Sequence, residues 1–186
     1  MARGIKVVLM GVDNSGKTTL AKNLVETLNS KGLDFGYILP LGKAPLEAQE
    51  KHLQDILFSE RNLIIDRLPV IEEEVVGRTL RGGSNFDKIN KAKLFEYYKN
   101  VDMFIFCNPS MEAITNWGSR PQMDGIKENA KRLQTLYKMF FFKLIKETDG
   151  MGITFYSYNW EEDLIGRDCH DIVESIVELR KQEVEG

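Results

Sequence analysis

The stretch Gly11-Val12-Asp13-Asn14-Ser15-Gly16-Lys17-Thr18 has the residue types and spacing to hold phosphate. It satisfies the pattern G-x-x-x-x-G-K-[ST], in which each fixed position has a physical task. Gly11 and Gly16 carry no Cβ, so the backbone can curl until several N–H groups point at one anion. Lys17 brings a mobile positive charge to the β- and γ-phosphates. The Thr18 hydroxyl can sit on the Mg²⁺ that neutralises the rest. Asn14, Ser15 and Thr19 belong to the same cradle. The chemistry implied is binding of a nucleoside triphosphate.

A second group of charges follows an apolar run. Asn62-Leu63-Ile64-Ile65 ends in Asp66-Arg67. If the strand that carries this pair neighbours the strand before the loop, Asp66 can hold a Mg²⁺-bound water or accept a substrate proton. Arg67 can then fork onto a phosphate. A strand-end salt bridge or a helix cap is the plainer alternative. Arg78 and Arg81 lie on the helix that follows and can surround an acceptor phosphate together with Arg67. Glu72, Glu73 and Glu74 on the same helix allow the other reading, a solvated charged face. Glu73 is a candidate contact to a base or sugar. Asp13 is electrostatically awkward among phosphate-binding amides, which points it away from the triphosphate, toward a sugar hydroxyl of a second substrate. Arg120 lies in Gly118-Ser119-Arg120-Pro121-Gln122-Met123-Asp124-Gly125, with glycines at both ends. Such a segment suits a mobile lid that excludes water and brings Arg120 to the transferring group; a surface loop is the competing reading.

These residues need a scaffold that alternates strands with helices. Ile5 to Met10 reads as a buried strand, and Lys17 to Lys31 as a helix with Leu20, Ala21, Leu24, Val25 and Leu28 on one face. Strand, glycine loop and helix in that order are the context the motif requires. Further strands are expected at Phe35 to Leu39, Asn62 to Arg67, Met103 to Cys107 and Ile153 to Tyr158. Helices are expected from Pro45 to about Phe58, Val70 to Leu80, Lys88 to about Lys99 with Asp87 as cap, and Ser110 to Trp117. A long helix from about Ile126, and a last one started by Asp168 or Asp171, complete the pattern. Alternation of this kind implies right-handed crossovers and a parallel sheet covered on both faces, with ligands at the carboxyl ends of the strands.

The chain has 186 residues, enough for one α/β domain with a full core. A formal charge of −3 argues against a nucleic-acid polymer as partner, but leaves small phosphorylated substrates open. Cys107 and Cys169, the two cysteines, have no metal-like spacing and read as free thiols. With no apolar run of membrane-spanning length, a cytoplasmic protein is expected. Trp117, Trp160 and Phe140–Phe142 read as packing residues.

Taken together, the phosphate loop through Thr19, Asp66-Arg67 after the third strand, and an arginine before a long helix resemble thymidylate kinase and related deoxynucleoside monophosphate kinases. Glu73-Glu74-Val75-Val76-Gly77 and Leu80-Arg81-Gly82-Gly83 look closest to phage-encoded members. The resemblance covers residues 5 to about 160. It implies a phosphate-loop three-layer sandwich with a five-stranded parallel sheet in order 2-3-1-4-5 and a lid over about 118–125. It further implies transfer of the γ-phosphoryl of MgATP to a deoxynucleoside monophosphate, dTMP or a related pyrimidine nucleotide. By the same resemblance, Asp13 meets the acceptor's 3′-hydroxyl, and Asp66 and Arg67 serve metal or base and acceptor phosphate. Arg120 stabilises the transferring group, because Asn14 stands where some members carry a loop arginine. The loop near Asn159 and Trp160 holds adenine largely through its backbone, and a homodimer is possible. Leu68 stands in place of a frequent tyrosine, and Leu41-Gly42-Lys43-Ala44-Pro45 in place of Glu-Pro-Gly, which leaves the acceptor base open.

Two other readings stay in view. In a deoxynucleoside kinase, Asp66 would have to take the proton of a free 5′-hydroxyl, a step an already anionic phosphate does not need. In a non-catalytic regulator, ATP would bind without turnover. A GTPase is disfavoured because Cys107-Asn108-Pro109-Ser110 stands where an Asn-Lys-x-Asp stretch would read guanine.

Overall fold

A computed structural model of the chain describes residues 3–39, 44–116, 118, 124–163 and 166–185. Five strands, β1 (Lys6–Met10), β2 (Phe35–Ile38), β3 (Asn62–Asp66), β4 (Met103–Cys107) and β5 (Thr154–Tyr158), form one parallel sheet. Its order is β2-β3-β1-β4-β5, as the sequence resemblance implied. All five residues of β1 and of β4 are buried, because helices cover both faces of the central strands. Period-2 alternation then sorts the side chains to the two sides. Val7, Leu9, Ile64, Met103 and Ile105 pack under α1 (Lys17–Ser30) and α8 (Arg167–Glu185). Val8, Met10, Leu63, Ile65, Phe104 and Phe106 face the other layer. That layer contains α2 (Leu46–Leu57) and a segment made of α3 (Pro69–Glu72), a π-helical turn (Glu73–Gly77) and α4 (Arg78–Arg81). It also contains α5 (Lys91–Lys99), α6 (Met111–Thr115) and α7 (Ile126–Glu147).

On α1, Leu20, Ala21, Leu24 and Leu28 are buried on the face expected from their spacing, and Val25 only partly. Full burial of one such leucine contributes about 1.5–3 kcal/mol, so this helix is held against the sheet and keeps the loop before it in place. Register does the rest. Leu9 pairs with Asp66, and the Arg67 N–H donates to the Leu9 carbonyl at 3.0 Å. The residues just past β3 therefore emerge beside the phosphate loop that follows β1.

Several boundaries differ from the sequence reading for local reasons. Asp87 does not start a helix at Lys88. Its carboxylate accepts from the Ser84 N–H, while the Ser84 hydroxyl accepts from Phe86 N, and this cap closes a short 3₁₀ turn at Asn85–Lys88. Asn90 then caps α5 through Ala92 N. Ser110 caps α6 as expected, but the helix ends at Thr115; Trp117 lies outside the described residues. The helix over 70–80 is interrupted by its π turn, which periodicity could not reveal.

Candidate active site

Gly11 and Gly16 are required by geometry. Gly11 has φ 142°, and a Cβ there would stand 2.6 Å from the Cys107 carbonyl oxygen. At Gly16, with φ 89°, a Cβ would strike the Trp160 ring at 2.8 Å. Asn14 adopts φ 63°, a left-handed conformation that asparagine tolerates better than most residues.

Lys17 is 4% exposed and curls back on its own loop. Its Nζ donates to the Gly11 carbonyl at 2.8 Å, to the Val12 carbonyl, and to Ser15 Oγ at 3.2 Å. Burial pushes its pKa down to about 8, and the nearby positive charge of Arg67 adds to the effect. A polyphosphate offers this ammonium full opposite charges in place of carbonyl dipoles.

Thr18 Oγ1 donates to Asp66 Oδ2 at 2.6 Å, and the Tyr37 hydroxyl donates to the same oxygen at 3.1 Å. Burial and the Asp66 charge hold the Tyr37 hydroxyl protonated, with its pKa pushed up to about 12. Asp66 is 3% exposed and its Oδ1 is buried without a partner. A carboxylate oxygen with a vacant acceptor position beside a hydroxyl is a donor set suited to a hard cation such as Mg²⁺. Thr18 and Asp66 are the residues that would hold it, directly or through water.

Arg67 lies opposite, at φ 79°. Its Nη1 donates to Glu72 Oε2 at 3.0 Å and its Nη2 to Asp13 Oδ1. The buried Tyr137 hydroxyl on α7 donates to the other oxygen of Glu72. Burial by itself would depress the Arg67 pKa, but the Glu72 and Asp13 charges override it and keep the guanidinium fully protonated. Burial, then the Glu72 charge, holds Tyr137 in its neutral form. Asp13 is thus tied to Arg67 rather than pointing alone toward a sugar.

Between these groups opens a cavity of about 820 Å³, lined by Asp13 through Thr19, Arg67, Ala113, Asn116, Tyr158 and Trp160. It sits at the carboxyl ends of β1 and β3, where the sheet order reverses direction. Trp160, 44% exposed, lays its ring over Gly16 and forms part of the wall, so it is more than a packing residue. Asn159 does not line the cavity. Its side-chain oxygen accepts from Glu161 N, and its carbonyl from Glu162 N and Asp163 N, which builds the turn that presents Trp160.

Three candidates are drawn elsewhere. Arg78 donates to Glu74 and Asp87, and Arg81 donates to Glu73 at 2.6 Å. Glu73 also accepts from Asn85 N at 2.9 Å. None of the three borders the phosphate-loop cavity, because carboxylates nearby in sequence satisfy each cation first. Arg120 and most of the expected lid lie outside the described residues. Tyr37, Glu72 and Tyr137 were not foreseen; their spacing reads as ordinary strand and helix positions, and only the fold brings them to Asp66 and Arg67.

No known family model matches the chain, and no curated protein sequence matches it. Solved structures do match over nearly its whole length. The YorR protein of Bacillus subtilis, in complex with phosphorylated GDP, superposes with a TM-score of 0.66 at 17% identity, over 97% of this chain and 98% of that one. Thymidylate kinase from Candida albicans gives 0.55 at 17% identity, over 98% and 95%. Deoxyadenosine kinase from M. mycoides with bound dCTP gives 0.55 at 18% identity, over 94% and 100%. At such identities the likeness shows the fold: this chain shares its overall architecture, here a five-stranded parallel sheet covered by helices, with these proteins. No helix among the described residues is long and apolar enough to cross a membrane.

Proposed function

We propose that the protein transfers the γ-phosphoryl group of MgATP to a deoxynucleoside monophosphate, with a pyrimidine base favoured. The observation that carries this reading is convergence: Lys17, Thr18 and Arg67 line one cavity at the carboxyl edge of the sheet, and the buried Asp66 accepts from Thr18. Bound nucleotides in the similarly folded YorR protein and deoxyadenosine kinase support a ligand of this class. Lys17 and the loop amides bind the donor phosphates. Mg²⁺ on Thr18 and Asp66 would supply charge neutralisation to the donor's oxygens. Arg67 takes the acceptor phosphate, Asp13 meets the acceptor sugar, and Arg120 serves as the arginine at the transferring group.

The carboxylates of the site favour a monophosphate acceptor. Asp66 Oδ2 already accepts two hydrogen bonds and its Oδ1 is buried; Asp13 and Glu72 are bound to Arg67. Asp66, the candidate base, is 3% exposed and does not line the cavity, and a phosphate oxygen needs no proton taken. One observation favours the second reading, a deoxynucleoside kinase: Arg78 and Arg81 are committed to Glu74 and Glu73, so fewer cations face an acceptor phosphate. ADP production from MgATP across a panel of nucleoside monophosphates and free nucleosides decides between them. Turnover with one or two deoxynucleoside monophosphates is expected. Turnover with nucleosides alone would promote the second reading, and ATP binding with no turnover would leave a regulator.

A further inference from the structure

Asn14 links the phosphate loop to the element that follows β4. Its side-chain amide donates to three backbone carbonyls at the end of α6: Ala113 at 2.9 Å, Ile114 at 3.2 Å and Asn116 at 3.1 Å. The last carbonyls of a helix lack intrahelical donors and carry partial negative charge, so a shared amide N–H pair is a fitting cap. At the other end of α6, the Glu161 carboxylate accepts from the Ser110 N–H and, at 2.9 Å, from its hydroxyl. Glu161 follows Trp160, whose ring lies on Gly16. A helix of five residues is too short to persist alone, yet Ile114 in it is fully buried. Ala113 and Asn116 line the same cavity where it adjoins the loop.

We infer that Asn14 is a positioning residue that ties the phosphate loop to α6, so that seating a triphosphate on the loop also sets the adjoining wall of the cavity. The inference rests on the kinase reading for its consequence, though not for the tie itself. The donor phosphates hold the loop backbone, the loop holds the Asn14 amide at its left-handed φ, and the amide holds α6 in register. Without the tie, nucleotide still binds through the loop amides and Lys17, but the wall no longer follows it, and the reacting groups are less well aligned.

Two substitutions separate the amide from the backbone. Gly at position 14 accepts φ 63° without strain, whereas Ala does not, and neither can donate to α6. Amide exchange is read at Ile114 and Asn116, whose N–H groups bond to Ser110 and Glu112 carbonyls. In N14G without nucleotide, both amides should exchange roughly tenfold faster, the size of effect expected for one lost hydrogen-bonded cap. In the wild type, Mg²⁺ with β,γ-imido-ATP should slow both amides. In N14G the analogue should bind within a few-fold of normal yet leave them fast. Under turnover, kcat should fall roughly 10- to 100-fold with acceptor KM within about twofold. Unchanged exchange in nucleotide-free N14G would overturn the tie. So would wild-type kcat in N14G with a loss in N14A alone, since the position would then need only a left-handed residue. Failure of the wild type to bind the analogue would sink the kinase reading instead, while the nucleotide-free exchange still decides the tie.

Discussion

The cations on the cavity wall and the cations on the helical segment after β3 differ in where their partners come from. Arg67 is held by Asp13 and Glu72, on the phosphate loop and on α3, and these side chains are 24%, 17% and 18% exposed. Arg78 and Arg81 pair within their own segment or the next turn, and their side chains are 46% and 48% exposed. Their partners Glu74 and Glu73 are only 22% and 12% exposed, so it is the solvated cation and the short sequence separation that make these pairs local and weak contributors. A pair assembled from distant segments beside a cavity costs desolvation and persists only where the fold imposes it. Cations of the second kind are the ones a ligand can recruit.

That contrast can be broken by substitution, and Lys17 offers the largest effect. K17A should reduce phosphoryl transfer by about 10³-fold or more, measured as ADP release, with the far-ultraviolet spectrum unchanged. Normal turnover would dismiss the whole assignment. R67A is next. It removes the proposed acceptor contact and leaves Asp13 and Glu72 without their shared cation, so the acceptor KM should rise roughly 10- to 100-fold and Tm should fall, with MgATP affinity near normal. An equal loss of ATP affinity would show that Arg67 belongs to the donor side.

The depressed pKa of Lys17 gives a pH test. Its value in the folded protein is about 8 against 10.5 for an ordinary lysine, so the unfolded chain holds the proton more tightly between those limits. This group therefore makes stability rise with pH from about 8 to 10.5, as the cost of burying the charge disappears. Affinity for a triphosphate should move the other way, because the bound phosphates need the ammonium. Calorimetric titration of MgATP should show affinity falling above pH 8, toward tenfold per unit, and K17A should lack the trend; a flat wild-type profile would contradict the assignment. The smallest effects belong to the local pairs. R78A and R81A should leave kcat and KM within about twofold; R78A should lower Tm only slightly, and R81A somewhat more, because it uncovers the buried Glu73 carboxylate. A large rise in acceptor KM for either would return it to the acceptor site.

Much of the site was legible because its requirements are local. The phosphate loop demands glycine at two turns and a lysine–threonine pair at a set spacing, and the flanking strand and helix are visible in apolar periodicity. Asp66-Arg67 stood out as charges closing an apolar run. The surplus arginines at 78 and 81 were legible as cations but not as spoken-for cations, since Glu73 and Glu74 could be read as a solvated face. Tyr37, Glu72 and Tyr137 carried no signal, because a tyrosine or glutamate at a regular position looks the same whether or not a distant residue meets it.

The sequence by itself determined the alternation of strands and helices, the two-sided burial of β1 and β4, and the glycine-bounded loop ahead of α1. Each follows from side-chain periodicity or from the conformational freedom of glycine, both properties of neighbouring residues. Tertiary structure decided which charges stand where a ligand can use them. Sheet register set Leu9 opposite Asp66 and so brought Arg67 to Asp13. Helix packing brought Tyr137 to Glu72, and the end of α6 to Asn14. Coulomb and hydrogen-bond energies depend on separation in space, and only the folded chain converts distant positions into distances of about 3 Å.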